Sequence, residues 1–329
     1  MGKCYIRKGF DMARGQLAGE HALVTGGAGF IGSHLVDRLL SLGSDVTVLD
    51  NLSHGHRSNV AKDAQLLIGD VRDSSLVEQA IAGKSRVFHL AAEATTRRSA
   101  MGWIDPVYDL NVNALGTLTI LEAARAVNKS ARFLLASSAA VYGPPIYTPM
   151  DEHHPTDPIS PYGVSKLAAE KYAVAYSREQ GMATSVARIF NTYGPRQRRY
   201  VMYELIRKLQ SSPARLELIG DGSQVRDYTY VSDTVTALIL MSDAPPGSVM
   251  NISSGHHISI RDLADLLSAL VAPGALVEPG RPTWKGDISE LVGDPTVIRT
   301  ELGFSTEVDL EAGLAKLAEW VLAEPLHDD

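Results

Sequence analysis

The chain has 329 residues, with 31 Lys and Arg against 38 Asp and Glu, a net charge of −7 and 45% apolar residues. That balance speaks against a nucleic-acid partner, and no run approaches the roughly 20 apolar residues of a membrane span. The length allows one large body or two lobes. Its single cysteine, Cys4, excludes an internal disulfide and fits a reducing, cytoplasmic setting.

Residues 1–20, MGKCYIRKGFDMARGQLAGE, are polar and lack the apolar centre of a signal peptide. They read as a loose N-terminal extension, with Met12 an alternative start. From His21 the pattern becomes strand, turn, helix, strand. HALVT is a short apolar strand, the glycines at 26, 29 and 32 form a turn, and residues 33–42 have the apolar spacing of a helix. A second strand, residues 45–49, ends in Asp50. Three glycines between strand and helix let a pyrophosphate approach the helix N-terminus, and an acid at the end of the next strand suits the ribose hydroxyls of NAD and repels the extra phosphate of NADP. His54 and Arg57 follow closely and weaken that exclusion. The alternation continues through strand 66–68, helix 74–81 and strand 86–90, where Ala91 and Ala92 carry no bulk to block a cofactor. One long helix is expected over 106–127 with Pro106 in its first turn. Repeated alternation of this kind predicts an α/β, Rossmann-type, doubly wound parallel sheet.

The stretch from Phe133 to Lys166 carries the chemistry. A buried-type strand delivers Ser137 and Ser138, a proline-rich loop follows, and a helix opens with Tyr162 and Lys166 four residues apart on one face. A phenol near its ordinary pKa of ~10 is a poor base at neutral pH, and a nearby ammonium favours the phenolate. Ser, Tyr and Lys in this order are therefore expected to take a proton from an alcohol. After a strand at 183–190 come loops and helices at 201–210, 233–241 and 260–271, the last capped by Ser259. Residues 21–190 read mainly as the dinucleotide domain and 191–329 mainly as a smaller α/β substrate lobe, some of whose elements return to the first.

Read together, TGGAGFIGSH (25–34), VLDNLS, GDVRD (69–73), HLAA (89–92), NVNALGT (111–117), SSAAVYG (137–143), SPYGVSK (160–166), RIFNTYGPRQ (188–197) and GDGSQVRDYTYV (220–231) resemble the extended short-chain dehydrogenase/reductase family, in its nucleotide-sugar epimerase/dehydratase branch. The resemblance implies that Gly26, Gly29, Phe30, Ile31 and Gly32 hold the pyrophosphate of NAD. It gives Asp50 and Asn51 the adenosine ribose, Asp70 and Val71 the adenine, and Leu90, Ala91, Ala92 and Asn111 the rest of the cofactor wall. Lys166 would bind the nicotinamide ribose beside Tyr162, and Ser138 would be the catalytic hydroxyl. On the substrate side it implies Asn191 and Arg226 at the phosphates, Asp287 capping the nucleotide and Ile219 on the base. Trp284 stands where relatives often place an arginine, leaving Arg281 and Lys285 as substitutes. Ala139 and Ala140 replace the acid and base of the dehydratases, and decarboxylating relatives also keep a glutamate there, so both chemistries are disfavoured.

The function expected is NAD-dependent 4-epimerisation of a UDP-sugar. A reductase or dehydrogenase acting at C4 of a nucleotide deoxysugar is the alternative enzyme, and a catalytically idle dinucleotide sensor the alternative class. Arg198, in GPRQR, resembles relatives acting on UDP-glucuronate and is expected to meet a C5 carboxylate with two parallel hydrogen bonds. UDP-glucose/UDP-galactose comes second, and Leu291 stands where a bulkier residue in some relatives excludes N-acetyl groups. The resemblance also implies a homodimer through helices near 106–127 and 159–180, using Leu115, Leu118, Leu121, Val174 and Tyr176.

Overall fold

The computed structural model describes residues 17–94, 103–282 and 288–325. The first half runs β1 (His21–Thr25), α1 (Phe30–Ser41), β2 (Asp45–Asp50), β3 (Gln65–Ile68), α2 (Ser74–Ile81) and β4 (Arg86–His89). Next come α3 (Pro106–Asp109), a π-helical segment (Leu110–Leu115), α4 (Gly116–Val127), β5 (Arg132–Ser138), α5 (Pro161–Gln180) and β6 (Thr184–Ile189). The remainder is β7 (Asn191–Tyr193), α6 (Val201–Ser211), β8 (Arg215–Glu217), β9 (Val225–Tyr230), α7 (Val231–Met241), β10 (Ser248–Ile252), β11 (His257–Ser259), α8 (Ile260–Val271), β12 (Leu276–Glu278), β13 (Glu290–Leu291), α9 (Thr296–Leu302) and α10 (Leu310–Ala323).

Seven parallel strands form the main sheet in the order β10-β6-β5-β4-β1-β2-β3. Both faces are covered, which is why its strands are apolar without a polar face. In β1, Val24 packs with Leu35, Val36, Leu39 and Phe88 on one side. Its neighbour Leu23 packs with Val77, Ile120, Leu121 and Phe133 on the other. The chain leaves β1 in one direction and crosses to β4 in the other. That reversal opens a crevice at the carboxyl ends of β1 and β4, the general ligand position of such sheets.

Residues from the second half return to this sheet: β10 pairs with β6, and α7 and α9 pack on its face. The substrate lobe proper has its own core, with Met202, Leu205, Ile206 and Leu209 of α6 against Leu263 and Leu267 of α8 and Leu314 and Leu317 of α10. Two expectations change. Residues 17–20 are not a loose extension, because Leu17 is 1% exposed in the core and Glu20 pairs with Arg86. The helix expected over 106–127 is interrupted by the π-helical turn, a device common at functional sites. No helix of the described residues is long and apolar enough to cross a membrane.

Candidate active site

The glycine turn is built by close approach. Gly26 has φ +72°, and a Cβ there would lie 2.7 Å from the Ala91 nitrogen. A Cβ on Gly32 would lie 2.2 Å from the Gly26 carbonyl oxygen. Only hydrogen fits at either position, so the loop after β4 can lie against the turn and α1 can begin directly behind it. Asp50, buried at the end of β2, accepts from the Ala28 N–H at 3.0 Å and the Leu52 N–H at 2.8 Å. Its carboxylate therefore braces the turn. Asn51 donates to Asp70 at 3.4 Å, and Asp70 takes a forked pair from Arg72. The hydrogen bonds of Arg72 outweigh partial burial and hold the Asp70 carboxyl below its ordinary range. Val71 packs behind, where a Cβ on Gly116 would strike it. Phe30 and Ile31 open α1, and Leu90 packs on the sheet core. The close-packed glycine turn and the acid at the end of β2 fit a dinucleotide of the NAD type.

The floor of the crevice is a hydrogen-bonded chain. The Ala91 N–H donates to Thr25 Oγ1 at 3.2 Å, and that hydroxyl lies 2.6 Å from His89 Nδ1. His89 Nε2 lies 3.0 Å from Thr117 Oγ1, which itself donates to the Asn113 carbonyl at 2.6 Å. The Nε2 tautomer follows from those partners. Burial first, and the Lys166 charge second, push His89 down to about 3, so the ring is neutral. Asn113 then holds both the N–H and the carbonyl of Glu93, at 2.8 and 3.1 Å, and donates to Ser165 at 2.9 Å. Asn113 thus ties the loop carrying Ala91 and Ala92 to α5. Asn111, which the family resemblance places at the cofactor, is half-buried at the start of the π-helical segment. The widened turn re-aims the asparagines, and Asn113 is the inward one.

At α5, Ser160 caps the helix by accepting from the Gly163 N–H at 3.1 Å, and Pro161 fills the first turn. Such a cap contributes about 1 kcal/mol and fixes the position of Tyr162. Ser138, at the end of β5, lies within hydrogen-bonding reach of the Tyr162 phenol and also accepts from the Ala140 N–H at 3.2 Å. Burial pushes Tyr162 up to about 12, helped by Tyr200 and opposed by the Ser138 hydrogen bond and the Arg199 charge. Lys166 donates to the Ala136 carbonyl at 2.6 Å, and burial pushes it down to about 8 against the pull of Glu170. Among the groups acting on Tyr162, Arg199 supplies a positive charge that opposes the effect of burial.

The substrate side differs more. Asn191 donates to the Asp227 carbonyl at 2.9 Å, and Arg226, on β9, reaches the Val225 carbonyl at 2.9 Å. Ile219 is half-buried just after β8, and Asp287 lies outside the described residues, as do Trp284 and Lys285. Arg198 does not join Ser138 and Tyr162. Its guanidinium pairs with Glu324 at 2.8 Å and lies over the Trp320 ring at 5.6 Å. Arg196 is likewise committed to Asp37 at 2.8 Å. The next two residues act electrostatically on the Tyr162 phenol: Arg199 lies over the Tyr200 ring at 5.3 Å, and Tyr200 donates to the Ala94 carbonyl at 3.0 Å. Positive φ at Arg196 and Tyr200 makes this turn, which periodicity does not reveal. The Asp109 charge acts on Tyr162 and the Glu93 charge on Tyr200. The short turn behind Ser138 holds Ala139 and Ala140, neither able to move a proton.

A parallel doubly wound sheet, a glycine cradle and a Ser-Tyr-Lys set define a dinucleotide-dependent enzyme working on an alcohol or ketone. The family model described as GDP-mannose 4,6 dehydratase matches residues 23–317. UDP-glucuronic acid decarboxylase 1 of Danio rerio is 33% identical over 322 residues, covering 94% of this chain and 74% of that protein. The structure of UDP-glucose 4-epimerase from Thermotoga maritima with UDP-glucose superposes with a TM-score of 0.85 at 33% identity, covering 91% of this chain and 98% of that one. UDP-glucose 4-epimerase of Thermus thermophilus in complex with NAD gives 0.82 at 33% identity, covering 92% of this chain and 99% of that one. The chain belongs to the extended short-chain dehydrogenase/reductase family, in its nucleotide-sugar epimerase/dehydratase branch.

Proposed function

We propose that the protein is an NAD-dependent UDP-sugar 4-epimerase. The observation that carries this reading is the complete Ser138, Tyr162 and Lys166 set beside a turn with only Ala139 and Ala140 where dehydratases need an acid and a base. Tyr162 would take the proton of the sugar 4-hydroxyl and return it to the 4-ketosugar, with Ser138 sharing it. Lys166, held at the Ala136 carbonyl, would hold the nicotinamide ribose. Bound NAD would supply the hydride acceptor and donor and a positive nicotinamide charge that favours the phenolate. Asp50 and the glycine turn would keep the dinucleotide in place between turnovers.

For the sugar, the acidic pair UDP-glucuronate/UDP-galacturonate is favoured and UDP-glucose/UDP-galactose is second. Two observations bear on this choice. Arg198 is engaged by Glu324, so the carboxylate partner would be Arg199, whose charge acts on Tyr162. The neutral pair is favoured by the names of the two epimerases of similar structure. The test compares both pairs in the wild type, Arg198→Ala and Arg199→Gln. Arg199→Gln is expected to lose about ten- to a hundredfold more activity on the acidic pair than on the neutral one, as suits a charge-assisted contact of ~1.5–3 kcal/mol. Equal losses on both pairs, or no activity on acidic sugars in the wild type, would return the assignment to the neutral sugars.

A homodimer is part of the same proposal. Val107, Leu110, Leu115, Val164 and Tyr172 are exposed apolar or aromatic side chains along α3, the π-helical segment and α5. Leu121, expected at the interface, is instead fully buried in the sheet core.

A further inference from the structure

Helix α5 is fastened to the end of β5 at two successive turns. Lys166 takes the Ala136 carbonyl, and Glu170, one turn further along, accepts from the Ser137 hydroxyl at 2.5 Å. The next strand residue is Ser138, whose side chain alternates to the other face and meets Tyr162. Arg188 stands opposite Ser137 in the β5–β6 register and grips the same carboxylate, with Nη2–Oε2 at 3.0 Å and Nε at 3.2 Å from both oxygens. Arg188 also donates to Tyr142 at 3.0 Å and lies over its ring at 4.8 Å, and Tyr142 donates to Asn251 of β10 at 2.6 Å. Glu170 is 2% and Arg188 6% exposed. A buried ion pair of this kind is weak evidence for stability, because hydrophobic replacements often do as well. Its place, one turn from Lys166 and one residue from Ser138, is the informative fact.

We propose that the Glu170–Arg188 pair is the positioning unit of the active site. It sets where Ser138 meets Tyr162, and it keeps a carboxylate one turn from Lys166, so that Lys166 remains an ammonium through the neutral range. The groups acting on Lys166 are Glu170 on its own helix, the neutral His89 ring on β4 and the Ala136 carbonyl on β5, with Arg188 on β6 reaching it through Glu170. Glu170 and Arg188 are positioning residues, acting through Lys166 and Ser138.

The effect expected on turnover rests on the epimerase reading; the effect expected on Lys166 does not. The test uses the Glu170→Gln/Arg188→Met double variant, which removes both charges of the buried pair together instead of stranding one of them, and so is expected to fold. Lys166 is titrated in the resting protein by NMR of labelled lysine side chains, assigned with Lys166→Arg, and kcat is measured against pH. The Lys166 midpoint is expected at about 8 in the wild type and lower in the double variant. The alkaline limb of kcat should move down with it, and kcat at neutral pH should drop about ten- to a hundredfold with KM little changed. A merely structural pair would lower the melting temperature and leave both titrations in place, and that result overturns the proposal. Should the double variant not fold, Ser137→Ala removes the strand-end fastening alone. It is expected to lower kcat at least about threefold, and wild-type kcat in it overturns the positioning claim. If the wild type epimerises no UDP-sugar, the proposed function falls while the Lys166 titration still decides the electrostatic claim.

Discussion

Tyr162→Phe is expected to fold like the wild type and to turn over roughly a hundred to ten thousand times more slowly, the usual worth of a positioned general acid or base. Only the phenolic oxygen is removed. The Ser160 cap that starts α5 and the Lys166–Ala136 hydrogen bond do not involve it, so the helix, the ring and the cofactor groove stay as they are. The hydroxyl sits where burial raises it to about 12 and the Ser138 hydrogen bond and the Arg199 charge oppose that rise. Deleting it leaves Ser138 without a partner able to exchange a proton with the sugar. The measurements are turnover, melting temperature and the amount of NAD released on denaturation. Unchanged melting and NAD content with slow turnover are the expected set, and turnover within about tenfold of wild type removes Tyr162 from the mechanism.

Gly32→Ala has the second large effect, and it falls on cofactor retention. The new methyl would lie 2.2 Å from the Gly26 carbonyl oxygen and 2.9 Å from the Gly27 Cα. Both obstacles are backbone, so no side chain can swing aside. The turn has to open or α1 has to move, and overpacking of this kind costs about 1–3 kcal/mol. Taken from binding, that corresponds to roughly ten- to a hundredfold weaker NAD retention, measured by equilibrium dialysis or by NAD lost on gel filtration. Gly83→Ala is the control. Its φ is positive, at +72°, unlike that of Gly32 inside α1, and nothing lies within 4 Å of a Cβ there. The control should show the modest strain of a left-handed residue and wild-type NAD retention. Equal loss of NAD in the two variants would mean that the close approach at Gly32 is not what holds the dinucleotide.

Features carried by local spacing were legible in the sequence. The glycine turn, the Asp50 strand end, the Ser160-Pro161 helix start and the Tyr162/Lys166 pair each depend on neighbours within a few residues. The alternation of strands and helices likewise announced the parallel sheet. What escaped depends on distant contacts or on broken periodicity. The π-helical turn shifts the phase of the helix, so Asn113 rather than Asn111 faces Glu93 and Ser165. Arg198 and Arg199 are adjacent and identical in type, and their separation rests on Glu324 and Trp320 near the end of the chain. The Tyr162 phenol follows the same rule. Its pair with Lys166 is visible as a spacing, but the burial that dominates its acidity comes from the whole fold.

The central claim is a transient oxidation at C4 that returns the same hydrogen to the same carbon. The most direct measurement incubates the protein, without added NAD or NADH, with UDP-sugars in heavy water, and resolves both C4 epimers and their deuterium content by NMR and mass spectrometry. The expected result is interconversion of the epimers with no deuterium at C4 or C5 and no loss of water. Deuterium at C5, a 4-keto-6-deoxy product, or activity only with added reduced cofactor would contradict the account.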